Sequence, residues 1–534
     1  GAFERFNGQF AIGLWDAKRE TLVLARDPFG IRPLYVCEHE GRVLFASEVK
    51  AIFAADASIP RAIDRAGLDE TFTFWGPLAP RTVFAGVEEL PPGAVRTYSA
   101  GGVRTRAASA PKFPRAGERA FRGSIEDATE AVHDALREAT RHRMVRADVP
   151  VGSYLSGGLD SSLVAALAQR ATGGRITTFS VRFEDAEFDE TRFQRLVAER
   201  IESDHRELVV GAAAIARAFP DVVLHAERPI LRTAPAPLFL LSKLVRDSGM
   251  KVVLTGEGAD EMFAGYDLFR EAKVRRFWAR RPGSRLRPRL LERLYPWLER
   301  SPVAQRAIAQ QFFGRDLARA GEPGFGHAPR WETTRALRRL LSRDVLAEIE
   351  GRDPIRELVA RLPPEHSEWT PLALDQYLEM RTLLAPYILS SQGDRMLMAH
   401  SVEGRFPFLD PTVAALACSL PDSYKLHVLD EKHVLKRVAR GLVPDAILER
   451  KKQPYRAPDA SIFIGPAAPD WVADVLSERA VRAAGLFDPT AVARLRAKHS
   501  APSGRLSNAD GTALAAVLST QLVHHHFIER GARP

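Results

Sequence analysis

The sequence predicts an α/β protein built in three successive parts: an antiparallel β segment, a parallel sheet with flanking helices, and a largely helical C-terminal region. Three observations lead to this prediction. Short apolar runs separated by turn residues fill the first hundred positions, apolar runs alternate with helical patterns between about residues 124 and 255, and only helical patterns follow Asp267. Strands that alternate with helices are typical of a parallel sheet, which binds ligands at the carboxyl ends of its strands.

The N-terminal part is predicted to be a β-meander with little helix. Strands are expected over residues 9–16, 21–25, 33–37 and 42–46. The β pattern fades by Pro91-Pro92-Gly93, and a stretch rich in Gly, Ala, Pro and Arg extends from about Ala100 to Gly123. Such a composition is typical of a linker. The interpretation is a first domain at residues 1–105, a linker at 106–123 and a second domain at 124–534.

The second part opens with a helix start signal. Ser124, followed by Asp127 three positions later, predicts a capping box for a helix that runs to about residue 143. Strands are then expected over residues 149–155, 176–183, 206–210 and 251–255. Helices are expected over residues 162–171, 190–201, 212–225 and 237–247.

The composition excludes several classes of protein. The hydrophobic share of 45% and the charged share of 27% are ordinary for a folded chain of 534 residues, not for a disordered or collagen-like one. The net charge of +9 favours anionic ligands only weakly, because arginine is spread along the chain. Cys37 and Cys418 give neither a disulfide framework nor a metal-ligand spacing, which favours a cytoplasmic location. Since no apolar run reaches about 20 residues, no membrane partner is expected.

The strongest motif is Ser-Gly-Gly-Leu-Asp-Ser-Ser at residues 156–162. It follows a predicted strand and opens a predicted helix, so backbone N–H groups and the positive helix end would face an anion such as phosphate. It is not a Walker loop, because the Gly-Lys-Ser/Thr ending is missing. Asp160 would repel phosphates unless Mg²⁺ lies between them. The alternative is a plain tight turn at a strand end.

A second motif, Leu-Thr-Gly-Glu-Gly-Ala-Asp-Glu, occupies residues 254–261 and also ends a predicted strand. Its loop should therefore open on the same edge of the sheet as the first. The glycines allow a ligand to approach the backbone closely. Asp260 could share a magnesium ion with Asp160, and Glu257 could act as a base or hold a nucleophile. The alternative is an acidic helix N-terminus with favourable dipole interactions.

Together the two loops resemble the ATP-pyrophosphatase signature of the asparagine synthetase family, glutamine-hydrolysing B type. Residues 26–35 (Arg-Asp-Pro-Phe-Gly-Ile-Arg-Pro-Leu-Tyr) and 46–50 (Ala-Ser-Glu-Val-Lys) are similar to the later part of that family's glutaminase domain. Residues 404–410 (Gly-Arg-Phe-Pro-Phe-Leu-Asp) and 431–436 (Glu-Lys-His-Val-Leu-Lys) resemble its Arg-x-Pro-Phe-Leu-Asp signature and its lysine-bearing helix. The resemblance covers nearly the whole chain in the family's order.

The resemblance implies a fold, a reaction and its cofactors. The first domain would be part of an Ntn-type antiparallel glutaminase domain, and the second an ATP-pyrophosphatase domain with a helical C-terminal region. ATP, with Mg²⁺, and the side-chain carboxylate of aspartate would form β-aspartyl-AMP and release pyrophosphate. Ammonia would then attack the acyl group, giving asparagine and AMP.

The resemblance also assigns roles to individual residues. The adenosine pocket would be lined by Leu155, Val181, Thr255 and Gly256. The pyrophosphate portion of ATP would be held by Ser156, Gly157, Gly158, Asp160, Ser161 and Ser162. Mg²⁺ would be bound by Asp160 and Asp260. Glu257 would assist adenylation, and Lys432 would neutralise charge that builds on the phosphates. Arg232 would hold the α-carboxylate of aspartate in a bidentate contact.

The sequence departs from the family in one respect. The catalytic N-terminal cysteine and the loops that bind glutamine precede the matched stretch in the family, and Cys37 lies inside a predicted strand. The chain is therefore expected to be a fragment of a complete enzyme that takes ammonia from glutamine, or an enzyme that uses free ammonia. The resemblance leaves a homodimer open.

Two other interpretations are compared with asparagine synthesis. A sibling amidotransferase or cyclase could adenylate a different carboxylate, such as a peptide, a sugar acid or a β-lactam precursor. An RNA-binding protein could use the same loop to modify tRNA, or could only bind nucleic acid, but it would need an RNA-binding module and often paired cysteines, and the sequence shows neither. An arginine-rich stretch at residues 273–300 is compatible with a nucleic-acid interface, but a solvated helical face is favoured, so no nucleic-acid partner is expected. A basic loop at residues 451–454 could reach phosphates or be solvated.

Overall fold

A computed structural model describes residues 2–108, 110–118, 120–294, 306–450, 455, 457–458, 460–464, 468–500 and 507–529. The strands are β1 (Ala11–Asp16), β2 (Thr21–Arg26), β3 (Tyr35–His39), β4 (Arg42–Ala46), β5 (Val87–Glu89), β6 (Ala94–Ser99), β7 (Gly102–Ala107), β8 (Val151–Tyr154), β9 (Thr177–Phe183), β10 (Asp204–Val210), β11 (Val252–Leu254) and β12 (Glu403–Arg405).

The helices of the N-terminal part and of the sheet region are α1 (Val49–Ala55), α2 (Arg65–Phe74), α3 (Ile125–Val145), α4 (Leu159–Thr172), α5 (Thr191–Arg200), α6 (Ala212–Ala226), α7 (Pro235–Asp247) and α8 (Ala259–Met262). Those of the C-terminal region are α9 (Asp267–Ala279), α10 (Arg306–Phe313), α11 (Ala328–Arg335), α12 (Arg343–Glu348), α13 (Pro354–Ala360), α14 (Pro371–Glu379), α15 (Arg395–Met398), α16 (Pro411–Ser419), α17 (Asp422–Lys425), α18 (His433–Ala439), α19 (Asp445–Leu448), α20 (Asp470–Val475), α21 (Glu478–Ala484), α22 (Pro489–Ser500) and α23 (Asn508–Val523). A π-helix spans Met380–Asp394, between α14 and α15.

The N-terminal part contains two antiparallel sheets. One has the strand order β1-β2-β6-β7 and the other β4-β3-β5. The four strands predicted for this part are confirmed. The expectation of little helix is wrong, because α1 and α2 fold here and bury Ile52, Phe53, Leu68 and Phe72 in the largest core of the protein. Strand β7 pairs with β6 as far as Ala107, inside the stretch rich in Gly, Ala and Arg.

The second part is a five-stranded parallel sheet with the order β10-β9-β8-β11-β12. The four predicted strands are confirmed, whereas β12 was not predicted, since it has only three residues and includes Glu403 and Arg405. The chain adds β9 and β10 on one side of β8, then β11 and β12 on the other. Neighbouring connections therefore diverge between β8 and β11, which opens a crevice at the carboxyl ends of these two strands.

Helix α3 begins where the sequence predicts. The Ser124 hydroxyl accepts a hydrogen bond from the Asp127 N–H at 3.2 Å, and the Asp127 carboxylate accepts one from the Ser124 N–H at 2.7 Å. This reciprocal arrangement satisfies two backbone donors of the first turn. One apolar face of α3, which carries Val132 and Leu136, is buried against the second core of the protein. No helix in the described ranges is long and apolar enough to cross a membrane.

The two halves of the protein are joined by buried charges. The Glu227 carboxylate accepts hydrogen bonds from the backbone N–H groups of Val49 and Lys50, both at 2.8 Å, at the start of α1. It also pairs with Arg395 at 2.9 Å, and both side chains are 1% exposed. The neighbouring Arg228 donates to the Tyr35 hydroxyl at 2.7 Å. Glu227 thus connects a helix of the first half to the helical wall of the second.

Replacement of Glu227 tests this connection. Glu227→Ala leaves the buried Arg395 guanidinium without its closest carboxylate and removes the cap of α1. We expect a loss of about 3 kcal/mol or more in the free energy of unfolding, the usual effect of breaking a buried ion pair. Urea unfolding of the full chain followed by tryptophan fluorescence measures it.

The matched control is Glu478→Ala, which removes an exposed i,i+4 partner of Arg482. We expect a change within about 0.5 kcal/mol for this surface pair. Equal unfolding curves for the two variants would contradict the structural role assigned to Glu227.

Candidate functional site

The two glycine-rich loops meet at the crevice between β8 and β11. The approach is so close that a Cβ on Gly256 would lie 2.9 Å from the Ser161 backbone nitrogen, so only glycine fits without displacement. A cavity of about 860 Å³ opens at this edge of the sheet. This volume lies within the range of small-molecule and cofactor sites.

Most of the residues predicted from the sequence line this cavity. Those that line it are Leu155, Ser156, Asp160, Ser161, Val181, Arg232, Thr255, Gly256, Glu257 and Asp260. Four others do not line it: Gly157, Gly158, Ser162 and Lys432. Ser162 lies fully buried inside α4, and its hydroxyl makes no hydrogen bond among the described residues. The structure therefore brings the two loops together but places Ser162 behind the surface a ligand would touch.

Contacts between Ser156 and Ser161 stabilise the conformation of the first loop. The Ser161 hydroxyl accepts a hydrogen bond from the Ser156 N–H at 3.1 Å, and the two hydroxyl oxygens are 2.9 Å apart. Gly157 has a φ of 73°, and a Cβ there would lie 2.8 Å from that of Phe193. Gly158 is the N-cap of α4, so the first-turn N–H groups of this helix face the crevice. Such a helix start attracts phosphate.

Two carboxylates from the two loops share one cation. The Lys432 Nζ lies 2.5 Å from Asp160 Oδ2 and 2.6 Å from Asp260 Oδ1. Lys432 is 2% exposed and adopts a left-handed backbone with a φ of 52°, immediately before α18. Gly265 provides the space, since a Cβ there would lie 2.0 Å from Lys432 Cε. The lysine thus neutralises the acidic pair from behind the cavity wall.

The same pair of carboxylates fits a magnesium site. Mg²⁺ prefers oxygen ligands and is often bound by one or two carboxylates together with substrate phosphates and water. Asp160 and Asp260 already converge on a single cation, the Lys432 ammonium. Within the described ranges, no group of three or more His, Cys, Asp and Glu side chains is arranged to hold a metal ion, so Mg²⁺ at this pair would need ligands from the substrate or from water.

Glu257 lies beside the acidic pair in the cavity wall. Burial raises the pKa of its carboxyl group, the nearby Thr255 side chain opposes that effect, and the negative charges of Asp160 and Asp260 add to the rise. A carboxylate with a raised pKa in a cleft suits proton transfer near neutral pH.

The unpredicted strand β12 supports the second loop. The Thr255 N–H donates to the Arg405 carbonyl at 3.0 Å, which extends the β11–β12 pairing into the loop. The Leu409 side chain packs against Gly258, where a Cβ would lie 2.4 Å from Leu409 Cδ2. Asp410 caps α16 and pairs with Arg143 at 2.8 Å. Residues 404–410 therefore hold the second loop of the site in place.

Other residues that line the cavity were not predicted. They include Tyr266, Arg330 and Glu379 from the helical region and Trp75 from the N-terminal half. Arg330 Nη1 donates to Glu379 Oε1 at 2.7 Å. Burial works against ionisation of Glu379, but Arg330 and His327 bring its pKa down to about 2, so it stays charged. No sequence motif marks these residues, because only the packing of distant helices brings them together.

Two further predicted features are Arg232 and the basic loop at residues 451–454. The Arg232 guanidinium is stacked over the Trp75 ring, 4.4 Å from its centroid. Residues 451–454, the basic loop, lie outside the described residues. The preceding Arg450 donates to the Gly157 carbonyl at 3.1 Å, so a cation does reach the first loop from this segment.

Comparison with protein families gives two matches. The model of the asparagine synthase family matches residues 131–525, and that of the glutamine amidotransferase domain matches residues 1–108. Together they span both halves of the structure and both glycine-rich loops.

Among curated proteins, the chain is 31% identical to the "Putative asparagine synthetase (glutamine-hydrolyzing)" of Mycobacterium tuberculosis, over 99% of this chain and 78% of that protein. It is 29% identical to "Asparagine synthetase (glutamine-hydrolyzing) 1" of Bacillus subtilis, over 89% of this chain and 72% of that protein. It is 30% identical to "Amidase chyE" of Penicillium rubens, over 84% of this chain and 70% of that protein.

The acidic residue that ends the second motif gives a pH-dependent prediction. Glu261 is 1% exposed and accepts a hydrogen bond from the Tyr266 hydroxyl at 2.8 Å. Burial and the charge of Asp260 raise its pKa to about 8. Between its ordinary pKa and this value the folded state holds a proton that the unfolded state releases, so stability falls as the pH rises.

Glu261→Gln should remove this loss, since an amide does not titrate. The difference in the free energy of unfolding between the variant and the original chain should therefore grow, in favour of the variant, by more than about 1.4 kcal/mol from pH 5 to pH 8. This amount is the equivalent of one pKa unit. Urea unfolding at both pH values measures it, with the exposed Glu478→Gln as control. If the difference in the free energy of unfolding between Glu261→Gln and the original chain did not change with pH, the raised pKa of Glu261 would be contradicted.

Proposed function

The chain belongs to the asparagine synthetase family, and we propose that it amidates L-aspartate to L-asparagine at the expense of ATP, through a β-aspartyl-AMP intermediate. One observation carries the proposal: Asp160 and Asp260, from two loops at the divergence of a parallel sheet, converge on a single cation beside a helix N-terminus. This arrangement suits the triphosphate of ATP and its counter-ion.

Different residues of the cavity wall bind different parts of the nucleotide. Leu155, Val181 and the backbone at Thr255 and Gly256 provide an apolar, close-fitting surface for adenosine. The loop from Ser156 to Ser161 offers N–H groups and hydroxyls to the pyrophosphate portion. The aspartate carboxylate would attack the α-phosphorus, form the acyl–phosphate bond and release pyrophosphate.

Charge on the leaving pyrophosphate needs compensation in the transition state. Mg²⁺, when bound by Asp160 and Asp260 with the phosphates, supplies charge neutralisation. The Lys432 ammonium lies directly behind both carboxylates and adds positive charge that requires no reorganisation. Preorganised charge of this kind is a main source of catalysis in sites that exclude water.

The second step needs a proton acceptor. Attack of ammonia on the acyl carbon breaks the acyl–phosphate bond, and AMP leaves with the bridging oxygen. The nitrogen must lose a proton as the amide forms. Glu257, whose pKa is raised by burial, lies in the same wall and is proposed to accept it.

Glutamine is the proposed source of the ammonia, because residues 1–108 match the glutamine amidotransferase domain. Buried thiols at Cys37 and Cys418, neither in a disulfide, agree with the proposed cytoplasmic location.

A second candidate is amidation of another carboxylic acid by the same adenylation. The cavity supports this candidate, because its lining includes residues of the helical region and Trp75 as well as the two nucleotide loops. The relative from Penicillium rubens carries the name of an amidase. Both candidates share Asp160, Asp260, Glu257 and Lys432.

Release of pyrophosphate from ATP tests the proposal. The full chain is supplied with Mg²⁺, L-aspartate and either ammonium or glutamine, and pyrophosphate, AMP and asparagine are measured. We expect pyrophosphate, AMP and asparagine in equal amounts with ammonium. Release of pyrophosphate only with an acid other than aspartate would favour the second candidate. If no acid led to release of pyrophosphate, adenylation would be contradicted.

Variants of the charged triad sharpen this test. Asp160→Asn, Asp260→Asn and Lys432→Ala should each lower kcat for pyrophosphate release by about 100-fold or more, the usual effect of removing a preorganised charge. The control is Lys436→Ala, on α18, the helix that follows Lys432; Lys436 pairs with Asp430 at 2.6 Å, and kcat should stay within about threefold. Equal effects at Lys432 and Lys436 would contradict the role of the triad.

A further inference from the structure

Helix α9 places one acidic residue, Glu271, in the lining of the cavity without a partner. The residues of α9 that line the cavity are Asp267, Leu268, Glu271 and Arg275, whose spacing puts them on one face of the helix. Glu271 is partly exposed at this face. Among the residues that the structure describes, it accepts no hydrogen bond and forms no ion pair. Its carboxylate is therefore available to a ligand in the cavity.

The arginines nearest to Glu271 are committed to other partners. Arg275, four residues further along α9, is 1% exposed and donates three hydrogen bonds of 2.7 to 3.1 Å to backbone carbonyl groups. Arg330 pairs with Glu379 at 2.7 Å, and Arg270 pairs with the first residue of α9 at 2.7 Å. The fold thus leaves the charge of Glu271 to be balanced from outside the protein.

The surroundings of Glu271 oppose an unpaired charge. Burial raises the pKa of its carboxyl group to about 7, the charge of Asp267 adds to the rise, and the nearby arginines act against it. A ligand that fills this part of the cavity displaces water from the carboxylate. An apolar group would then leave a charge without a partner, which is costly, whereas a cationic donor would compensate the charge.

The second glycine-rich loop leads directly into α9. The Gly265 N–H donates to the Asp260 carbonyl at 2.8 Å, where the loop ends, and α9 begins two residues later. Four residues of α-helix rise about 6 Å, so Glu271 lies about one turn beyond the first residue of α9. Since Glu271 and both loops line one cavity, an acid bound at the loops can contact Glu271 through a second group.

We propose that Glu271 binds a protonated amine of the acceptor acid. A carboxylate only accepts hydrogen bonds and an ammonium group only donates them, so the two groups complement each other in charge and in hydrogen bonding. The inference rests on the proposed function and deepens it, because it limits the acceptors to acids that carry an amine. It is separate from the carboxylate contact expected at Arg232, since the group that Glu271 recognises is the amine.

Two pairs of acids, each differing only in the amine, test the proposal. L-Aspartate is compared with succinate, and 6-aminohexanoate, a longer acid, with hexanoate. Glu271→Gln keeps the size of the side chain and removes its charge. The control is Glu478→Gln, at a glutamate whose side chain is 69% exposed. Binding is measured by titration calorimetry with the full chain, Mg²⁺ and α,β-methylene-ATP, an analogue that cannot release pyrophosphate.

In the original chain, the amine-bearing acid of at least one pair should bind more tightly than the acid without the amine. Glu271→Gln should weaken its binding about tenfold, as expected for loss of a hydrogen bond between charged groups. Binding of succinate, hexanoate and the nucleotide should not change, and Glu478→Gln should behave as the original chain. A loss confined to 6-aminohexanoate would support the amine site and favour the second candidate function. Equal weakening within both pairs, or no effect of Glu271→Gln on either amine-bearing acid, overturns the proposal.

Release of pyrophosphate separates this inference from the proposed function. With ATP and ammonium in place of the analogue, kcat/KM for the amine-bearing acid should fall in Glu271→Gln by the factor seen in binding. If binding of the amine depended on Glu271 but no acid led to release of pyrophosphate, the amine site would be supported and adenylation contradicted. If pyrophosphate were released and the preference for L-aspartate over succinate were unchanged in Glu271→Gln, with no effect on 6-aminohexanoate, adenylation would stand and the amine site would be overturned.

Discussion

The shared cation of Asp160 and Asp260 is the constraint on which the rest of the site depends. Two like charges are brought together by the meeting of two loops, and such a pair is stable only with a positive partner. Lys432 supplies that partner from a left-handed backbone position, and Gly265 leaves room for its side chain. The cavity, the helix N-terminus and Glu257 are then placed around a preformed charge pattern.

Buried charges of opposite sign also join the two halves of the protein. Glu227 and Arg395 pair deep in the protein, and Glu227 also caps a helix of the first half. Pro386, on the intervening π-helix, accepts a hydrogen bond from Arg228 at 3.1 Å, and Tyr387 follows it in the cavity wall. A π-helix is uncommon and is frequently found at functional sites. Here it connects the domain junction with the place where substrate would bind.

Local structure was predicted well from the sequence, whereas the cavity lining contributed by the helical region and by Trp75 was not predicted. Periodicity identified the strands of the parallel sheet, and Ser124 with Asp127 located the start of α3, because these signals are local. Both glycine-rich loops could be found because close backbone approach requires glycine. Strand β12 could not be predicted, because its sequence, Glu-Gly-Arg, contains no apolar residue, whereas the equally short β11 is wholly apolar. Trp75, Tyr387 and Arg330 reach the cavity only through packing of segments hundreds of residues apart, which no pattern in the sequence records.

The central claim, that an acyl-adenylate forms in this cavity, is tested most directly by isotope transfer. L-Aspartate labelled with ¹⁸O in its side-chain carboxylate is incubated with the full chain, ATP, Mg²⁺ and ammonium, and AMP is examined by mass spectrometry. Attack of the carboxylate on the α-phosphorus, followed by amide formation at the acyl carbon, transfers one labelled oxygen to each AMP. The account predicts that AMP carries one ¹⁸O and that pyrophosphate carries none. Unlabelled AMP, or label in inorganic phosphate with ADP as the nucleotide product, would contradict it.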